Sequence, residues 1–293
     1  MNANPSLSWD LARDVRELLA FPFMVNALQA GTIVAVLAAS VGWYVVQRRQ
    51  SFAAHTLSLM AFPGAAGAAL AGLPAALGYY LACGTAALVM GAGRRQEIRG
   101  EAGESAAIGT VQAAGLAAGF VFLALDRGVL GGLESLLFGT FLGVSRAQVL
   151  TLLIVAAAVL ATLALVARPL LFSTLDPHSA QAHGVPVRAL DVGFLLALGL
   201  AVAATTQITG VLLVFALLVA PAASAQTLTA RPALGLALSI AIALLVVWLG
   251  LGLAYFSIYP VGFFTTSLAF GIYLLARLAR AGARRRGART AVT

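Results

Sequence analysis

One side chain able to bind a metal or move a proton stands apart from the rest: His55, the only ionisable residue in the apolar run Phe52–Gly72. It lies six residues past Arg49, roughly 9 Å deeper along an α-helix, and an ionisable group at such depth faces a cavity or a partner rather than lipid. As a neutral imidazole it could ligate a borderline divalent cation; equally, it could hydrogen-bond a neighbouring carbonyl and meet no ion. Met60, Met90, Cys83 and Gln112 could add soft or neutral contacts, although Met and Cys in apolar helices usually pack. Asp126 and Glu134 fall at the outer face, where cations arrive and where interfacial water also accounts for a carboxylate. Glu104 and Ser105 read as the cap and dipole partner of a helix opening there. Thr205-Thr206-Gln207-Ile208-Thr209 reads as a polar outer turn, and His178 and His183 as residues of a solvated loop rather than a metal pair.

Several chemistries are excluded. All eighteen basic residues are Arg, and a Walker A loop needs a Lys to reach the nucleotide phosphates. If ATP drives this protein, another chain hydrolyses it. The single cysteine, Cys83, makes neither an internal disulfide nor a thiolate cage. Gly143-Val144-Ser145 is followed by Arg146, so the Gly-x-Ser-Gly of a membrane serine protease is missing. No catalytic residue and no bound cofactor are expected.

The elements that position these residues are membrane helices. Of 293 residues 61% are hydrophobic and only 10% charged, against about 25% charged for a soluble domain. Too little charge is present to coat a globule, so lipid must replace the polar surface. With ~20 apolar residues needed to cross ~30 Å of hydrocarbon, spans fall at Met24–Val46, Phe52–Gly72, Pro74–Gly91, Ala106–Leu125, Ala147–Ala167, Leu190–Thr205, Ile208–Gln226, Pro232–Phe256 and Pro260–Leu278. Leu190–Thr205 is short, and only Gly72-Leu73-Pro74 parts the second run from the third, so the expectation is an all-α polytopic protein of eight to nine spans. Val129–Gly143 is too short to cross and is interrupted by Gly131, Gly132 and Glu134, which suits a re-entrant half-helix buried in protein.

Arginine placement sets the orientation. With the N-terminus outside, nine crossings leave only Arg13, Arg16, Arg127 and Arg146 outside and the other fourteen arginines in the cytoplasm. Three zones follow. Residues 1–20 form an amphipathic interfacial segment, with Leu7, Leu11, Val15 and Leu18 on one face. Residues 21–279 form the membrane domain, and 280–293 an Arg-rich cytoplasmic tail that meets anionic lipid rather than nucleic acid. On the cytoplasmic side, within a loop at about 172–187, Asp176 suits an N-cap and Pro177 the first helical position. Gly184 sits where a helix turns left-handed to stop, so the loop holds a short helix with its own start and stop. A helix projecting from a channel without its own ATPase has the shape needed to plug into one.

Several segments then resemble one family, the membrane permeases of ABC importers for zinc, manganese and iron, with the type II importer fold. Phe23-Met24-Val25-Asn26-Ala27-Leu28 and Gly31 resemble its opening helix. Arg49-Gln50-Ser51-Phe52 leading to Phe62-Pro63-Gly64 resembles its second helix. Leu136-Leu137-Phe138-Gly139 resembles its half-helix, and Gly210 to Ala225 around Pro221 its most recognisable helix. Asp176, Pro177, Ala180 and Gly184 are similar to its ATPase-coupling loop. The resemblance, from about Phe21 to Leu278, implies inward transport of a divalent metal ion. It also implies a cytosolic ATP-binding subunit, an extracytoplasmic metal-binding protein, and a second permease copy or paralogue. One departure falls on the chemistry: where such permeases carry Asp-x-x-x-His, this chain has His55 and Leu59, so one imidazole remains of a two-ligand clamp. An ion-coupled secondary transporter is the competing expectation, but it would usually carry buried carboxylates mid-helix.

The orientation has a direct test. In a Cys83→Ala background, a cysteine replacing Ser6 should react with an impermeant thiol reagent applied outside, and one replacing Gly287 should not; labelling at 287 would reverse the topology.

Overall fold

The structure, a computed structural model, describes residues 11–93, 100–125, 139 and 141–290. Every regular element among them is helical. In chain order they are α1 (Leu11–Ala20), α2 (Pro22–Gln47), α3 (Ser51–Leu70), α4 (Ala75–Gly93), α5 (Gly100–Leu125), a 3-10 turn (Phe141–Gly143), α6 (Arg146–Leu175), α7 (Pro177–Ala182), α8 (Val187–Thr209), α9 (Val211–Leu228), α10 (Pro232–Tyr255) and α11 (Val261–Thr290). Eight are long and apolar enough to cross a membrane, and a ninth, α9, carries the shorter apolar stretch Leu213–Leu228. All nine sequence runs therefore reappear as helices. The expected re-entrant segment Val129–Gly143, Glu134 included, lies outside the described residues except for Gly139 and Phe141–Gly143, and Asp126 lies outside them too.

α2 is the centre. It packs against α6, α8, α9 and α10, while α3 and α4 form a tight pair joined to α5 and α8, and α9, α10 and α11 form a second group. Lipid tails are as apolar as leucine, so such helices associate by close packing and interhelical hydrogen bonds. Both devices are present. A Cβ on Gly42 of α2 would lie 1.8 Å from the Leu218 carbonyl oxygen of α9, and Gly64 of α3 and Gly78 of α4 meet backbone to backbone. Across helix pairs, Ser239 Oγ donates to the Ala39 carbonyl (3.2 Å), Gln226 Nε2 to the Trp43 carbonyl (3.1 Å) and Trp248 Nε1 to Thr32 Oγ1 (3.0 Å). α5 and α11 are the least buried spans and carry exposed apolar side chains such as Phe120 and Phe270.

Two expectations are corrected. The polar stretch Thr205–Thr209 is not an outer turn but the buried last turn and a half of α8, which gives that span 23 residues. Its hydroxyls bond back to carbonyls one turn earlier, Thr205 to Ala201 (2.7 Å), Thr206 to Val202 (2.7 Å) and Thr209 to Thr205 (3.0 Å), so they carry no unmet polarity into the core. Glu104 and Ser105 do not open α5, which starts at Gly100 and runs through them. α11 continues past residue 279 to Thr290.

Crowding at Gly42 yields a stability prediction. Gly42→Leu should cost about 1–3 kcal/mol or more by overpacking and lower the melting temperature of detergent-solubilised protein. Gly252→Ala, where nothing lies within 4 Å of the added Cβ, should leave it unchanged.

Candidate functional site

His55 occupies the second turn of α3, half-buried, with its ring edge-to-face on Phe215 of α9 at 4.9 Å between centroids. Its Nδ1 is buried and has no hydrogen-bond partner among the described residues, so the ring is not pinned to a neighbouring carbonyl through that atom. One turn further, Leu59 packs its side chain against the apolar core.

The other soft or neutral candidates do not gather round it. Cys83 is fully buried and its thiol donates to the Leu57 carbonyl (3.4 Å), tying α4 to α3. Thr56 Oγ1 donates to Gln112 Oε1 (2.9 Å), tying α3 to α5. Met60 is buried against Gly115 of α5, where a Cβ would stand 2.3 Å from its sulfur, and Met90 is buried in α4. Among the described residues no three His, Cys, Asp or Glu side chains cluster as a metal site. What α3 offers chemically is one imidazole nitrogen donor.

The loop expected to meet an ATPase is built by its own sequence. The Asp176 carboxylate accepts from the Ser179 amide (2.9 Å) and the Ser179 hydroxyl (2.5 Å), and Pro177 takes the first helical position of α7. The Ser179 hydroxyl, then the Ser179 amide, hold the Asp176 carboxyl below the usual carboxylate range, so the cap is ionised at neutral pH. Its contribution is present above the ordinary carboxylate pKa and is lost only as acid protonates it. At the other end Gly184 has φ +79°, its amide donates to Gln181 (3.0 Å), and the Val185 amide reaches back to Ala180 (3.0 Å), a Schellman closure. Ala180 is fully buried while Pro177, His178 and Gln181 are exposed: one side of α7 seats on the body and the other is presented outward. His183 accepts or donates through Nδ1 at the Ser179 carbonyl (2.8 Å) and stacks edge-on with Phe172, so it does not converge with His178.

Between α7, the α2–α3 turn and the start of α8 lies an open cleft of about 1190 Å³, lined by Arg48, Arg49, Arg188 and His178 among others. Its wall holds a cluster that the sequence does not announce. Arg48, at the end of α2, forms an ion pair with Asp191 of α8, donates to Thr174 Oγ1 of α6 (3.0 Å) and lies 5.2 Å over the Phe194 ring. The only local signal is an opposite charge at one end of each of two apolar runs. Arg280 meanwhile donates to the Thr227 carbonyl at the C-terminus of α9 (2.9 Å). The C-terminal ends of α2, α9 and α11 and the loop around α7, with Arg48 and Arg280 tying them, thus gather on one face of the bundle.

The family model for the ABC 3 transport family matches residues 20–280. The chain is 32% identical over 216 residues to the manganese transport system membrane protein MntC of Halalkalibacterium halodurans, covering 73% of each chain. It is 32% identical over 220 residues to the chelated iron transport system membrane protein YfeC of Yersinia pestis, again 73% of each. Its backbone superposes on a chain of PsaBC from Streptococcus pneumoniae, solved with Fab, at TM-score 0.79 and 25% identity, over 91% of this chain and 95% of that one. A bundle of membrane helices with a doubly capped projecting helix, matched to one family over nearly its whole length, settles the assignment: this chain belongs to the ABC 3 transport family and is a membrane-spanning transport subunit.

Proposed function

We propose that the chain is the permease of an importer that carries a divalent transition metal ion inward across the cytoplasmic membrane, with its N-terminus outside and its C-terminus in the cytoplasm. A separate cytosolic ATP-binding subunit supplies the energy, an extracytoplasmic metal-binding protein delivers the ion, and a second permease copy or paralogue completes the pore. The observation that carries this is α7, a six-residue helix closed at both ends by side-chain and backbone caps and exposed on the arginine-rich face. A connecting loop needs no such rigidity; a lever pushed by another subunit does. The chain has no Lys for a nucleotide loop of its own, and the relatives named for manganese and chelated iron transport support a transition metal as cargo. Zinc belongs to the same range of ions.

Within that range, His55 biases selection. One neutral imidazole, with no cluster of carboxylates beside it among the described residues, makes a site of low charge, poorer for Mn²⁺, which favours oxygen ligands, and better for an imidazole-preferring ion such as Zn²⁺. A sparse site is compatible with transport, because cargo must leave as well as enter.

Two experiments test these statements. Gly184→Pro, which cannot adopt positive φ and loses the amide bonded to Gln181, should leave the protein inserted but abolish cargo-dependent uptake with the ATPase present; unchanged uptake would remove α7 from the mechanism. His55→Ala should reduce metal uptake in vesicles holding the complete transporter, and His55→Asp combined with Leu59→His should shift competition between radiolabelled Zn²⁺ and Mn²⁺ toward Mn²⁺. Wild-type rates for every metal in His55→Ala would make that histidine a packing residue.

A further inference from the structure

Arg48 is placed where three parts of the molecule meet: the end of α2, the end of α6 and the start of α8. It closes α2, and the short turn after it leads into α3 with His55. Its guanidinium holds Thr174, two residues before the Asp176 cap on the chain entering α7, and Asp191, in the second turn of the helix leaving α7. The Phe194 ring, 5.2 Å away, covers it. Both chain ends that carry α7 therefore converge on one cation, and that cation is continuous through one turn with the helix bearing the candidate metal residue. The pair is shielded, with side-chain exposures of 7% for Arg48 and 25% for Asp191, so water screens it less than a surface pair.

We infer that Arg48 and Asp191 are positioning residues of the transport cycle, a strut that makes α7 and the start of α3 move as one body, so that force on α7 reaches the turn carrying His55. This role presupposes the ATP-driven import proposed above. The strut stays closed throughout the cycle. Its neighbours divide the work: α7 is held on the body by buried Ala180, and the remaining exposed face of α7 is left for the ATPase.

The test uses the complete transporter in proteoliposomes, with the permease in a Cys83→Ala background. Spin labels replace Phe52 at the start of α3 and Ala182 at the end of α7, both exposed, and two quantities are read: the label separation without and with ATP, and radiolabelled Mn²⁺ or Zn²⁺ moved per ATP hydrolysed. In the otherwise unaltered chain the separation should be a single distribution that ATP does not change. Asp191→Asn should broaden it or make it ATP-dependent, and lower the transport-to-hydrolysis ratio by about fivefold or more; a merely structural loss of protein lowers both rates and leaves the ratio alone. Asp191→Glu and Arg48→Lys should restore most of the ratio. If Asp191→Asn is poorly folded, Thr174→Val, which removes the hydroxyl tie to Arg48 and leaves the ion pair in place, is read instead and should shift the separation and the ratio in the same direction. An ATP-dependent separation in the unaltered chain, or an unchanged ratio and separation in Asp191→Asn or in Thr174→Val read in its place, would each overturn the strut. If neither metal moves while the separations behave as described, the strut stands and the metal cargo falls.

Discussion

Within hydrocarbon no water competes for a backbone amide, and almost everything in this molecule follows from that. Each crossing must satisfy its own peptide groups as helix, and once helical it gains nothing from hiding leucine from lipid. Contact between helices then depends on how closely backbones approach. Gly42 lets α2 touch the Leu218 carbonyl of α9, and the Gly64–Gly78 pair lets α3 lie directly on α4. Remaining polar side chains act as fasteners: Ser239, Gln226 and Cys83 each donate to a carbonyl on a neighbouring helix. The central position of α2 is the sum of these contacts.

The two candidate regions are built on opposite terms. α7 is specified by neighbours in sequence: a carboxylate three residues from the amide it caps, a proline already at helical φ, a glycine free to turn left-handed. It is rigid before any partner arrives. His55 is specified by what surrounds it in space. Its ring leans on Phe215, its Nδ1 meets no described partner, and the residue one turn away is an apolar leucine. A lone imidazole between helices is a weak ligand, and weak ligation suits a path through which cargo passes. Cys83, Met60 and Gln112, chemically able to assist, are instead spent on holding α3 against α4 and α5.

The cleft beside α7 runs from that helix to the α2–α3 turn. Charged groups at the edge of a membrane are kept only when paired or hydrated, and Arg48 is paired on two sides by residues of different helices. Where α2 ends, how α6 enters the loop and how α8 leaves it are therefore settled together, by one guanidinium. Membership of the ABC 3 transport family sets the secondary-transporter alternative aside.

Sequence alone determined what depends on run length and on neighbours within four residues. All nine apolar runs became helices because an unbroken apolar run of that length satisfies its own backbone in lipid as a helix, whereas a barrel strand would be shorter and alternate, and Asp176, Pro177 and Gly184 formed their caps because each partner lies close along the chain. Tertiary structure decided the rest. Thr205, Thr206 and Thr209 look like a turn by composition, yet they continue α8, since each hydroxyl finds a carbonyl one turn back and neighbouring helices exclude water. The Glu104–Ser105 pair resembles a cap, yet α5 had already begun at Gly100. Arg48 and Asp191 stand 143 positions apart, and Ser239 and Ala39 stand 200 apart; nothing periodic links such residues. Which charge meets which, and which nitrogen of which histidine is left without a described partner, is set by how closely helices pack, and that closeness is a property of the assembled bundle rather than of any one of its strings of apolar residues.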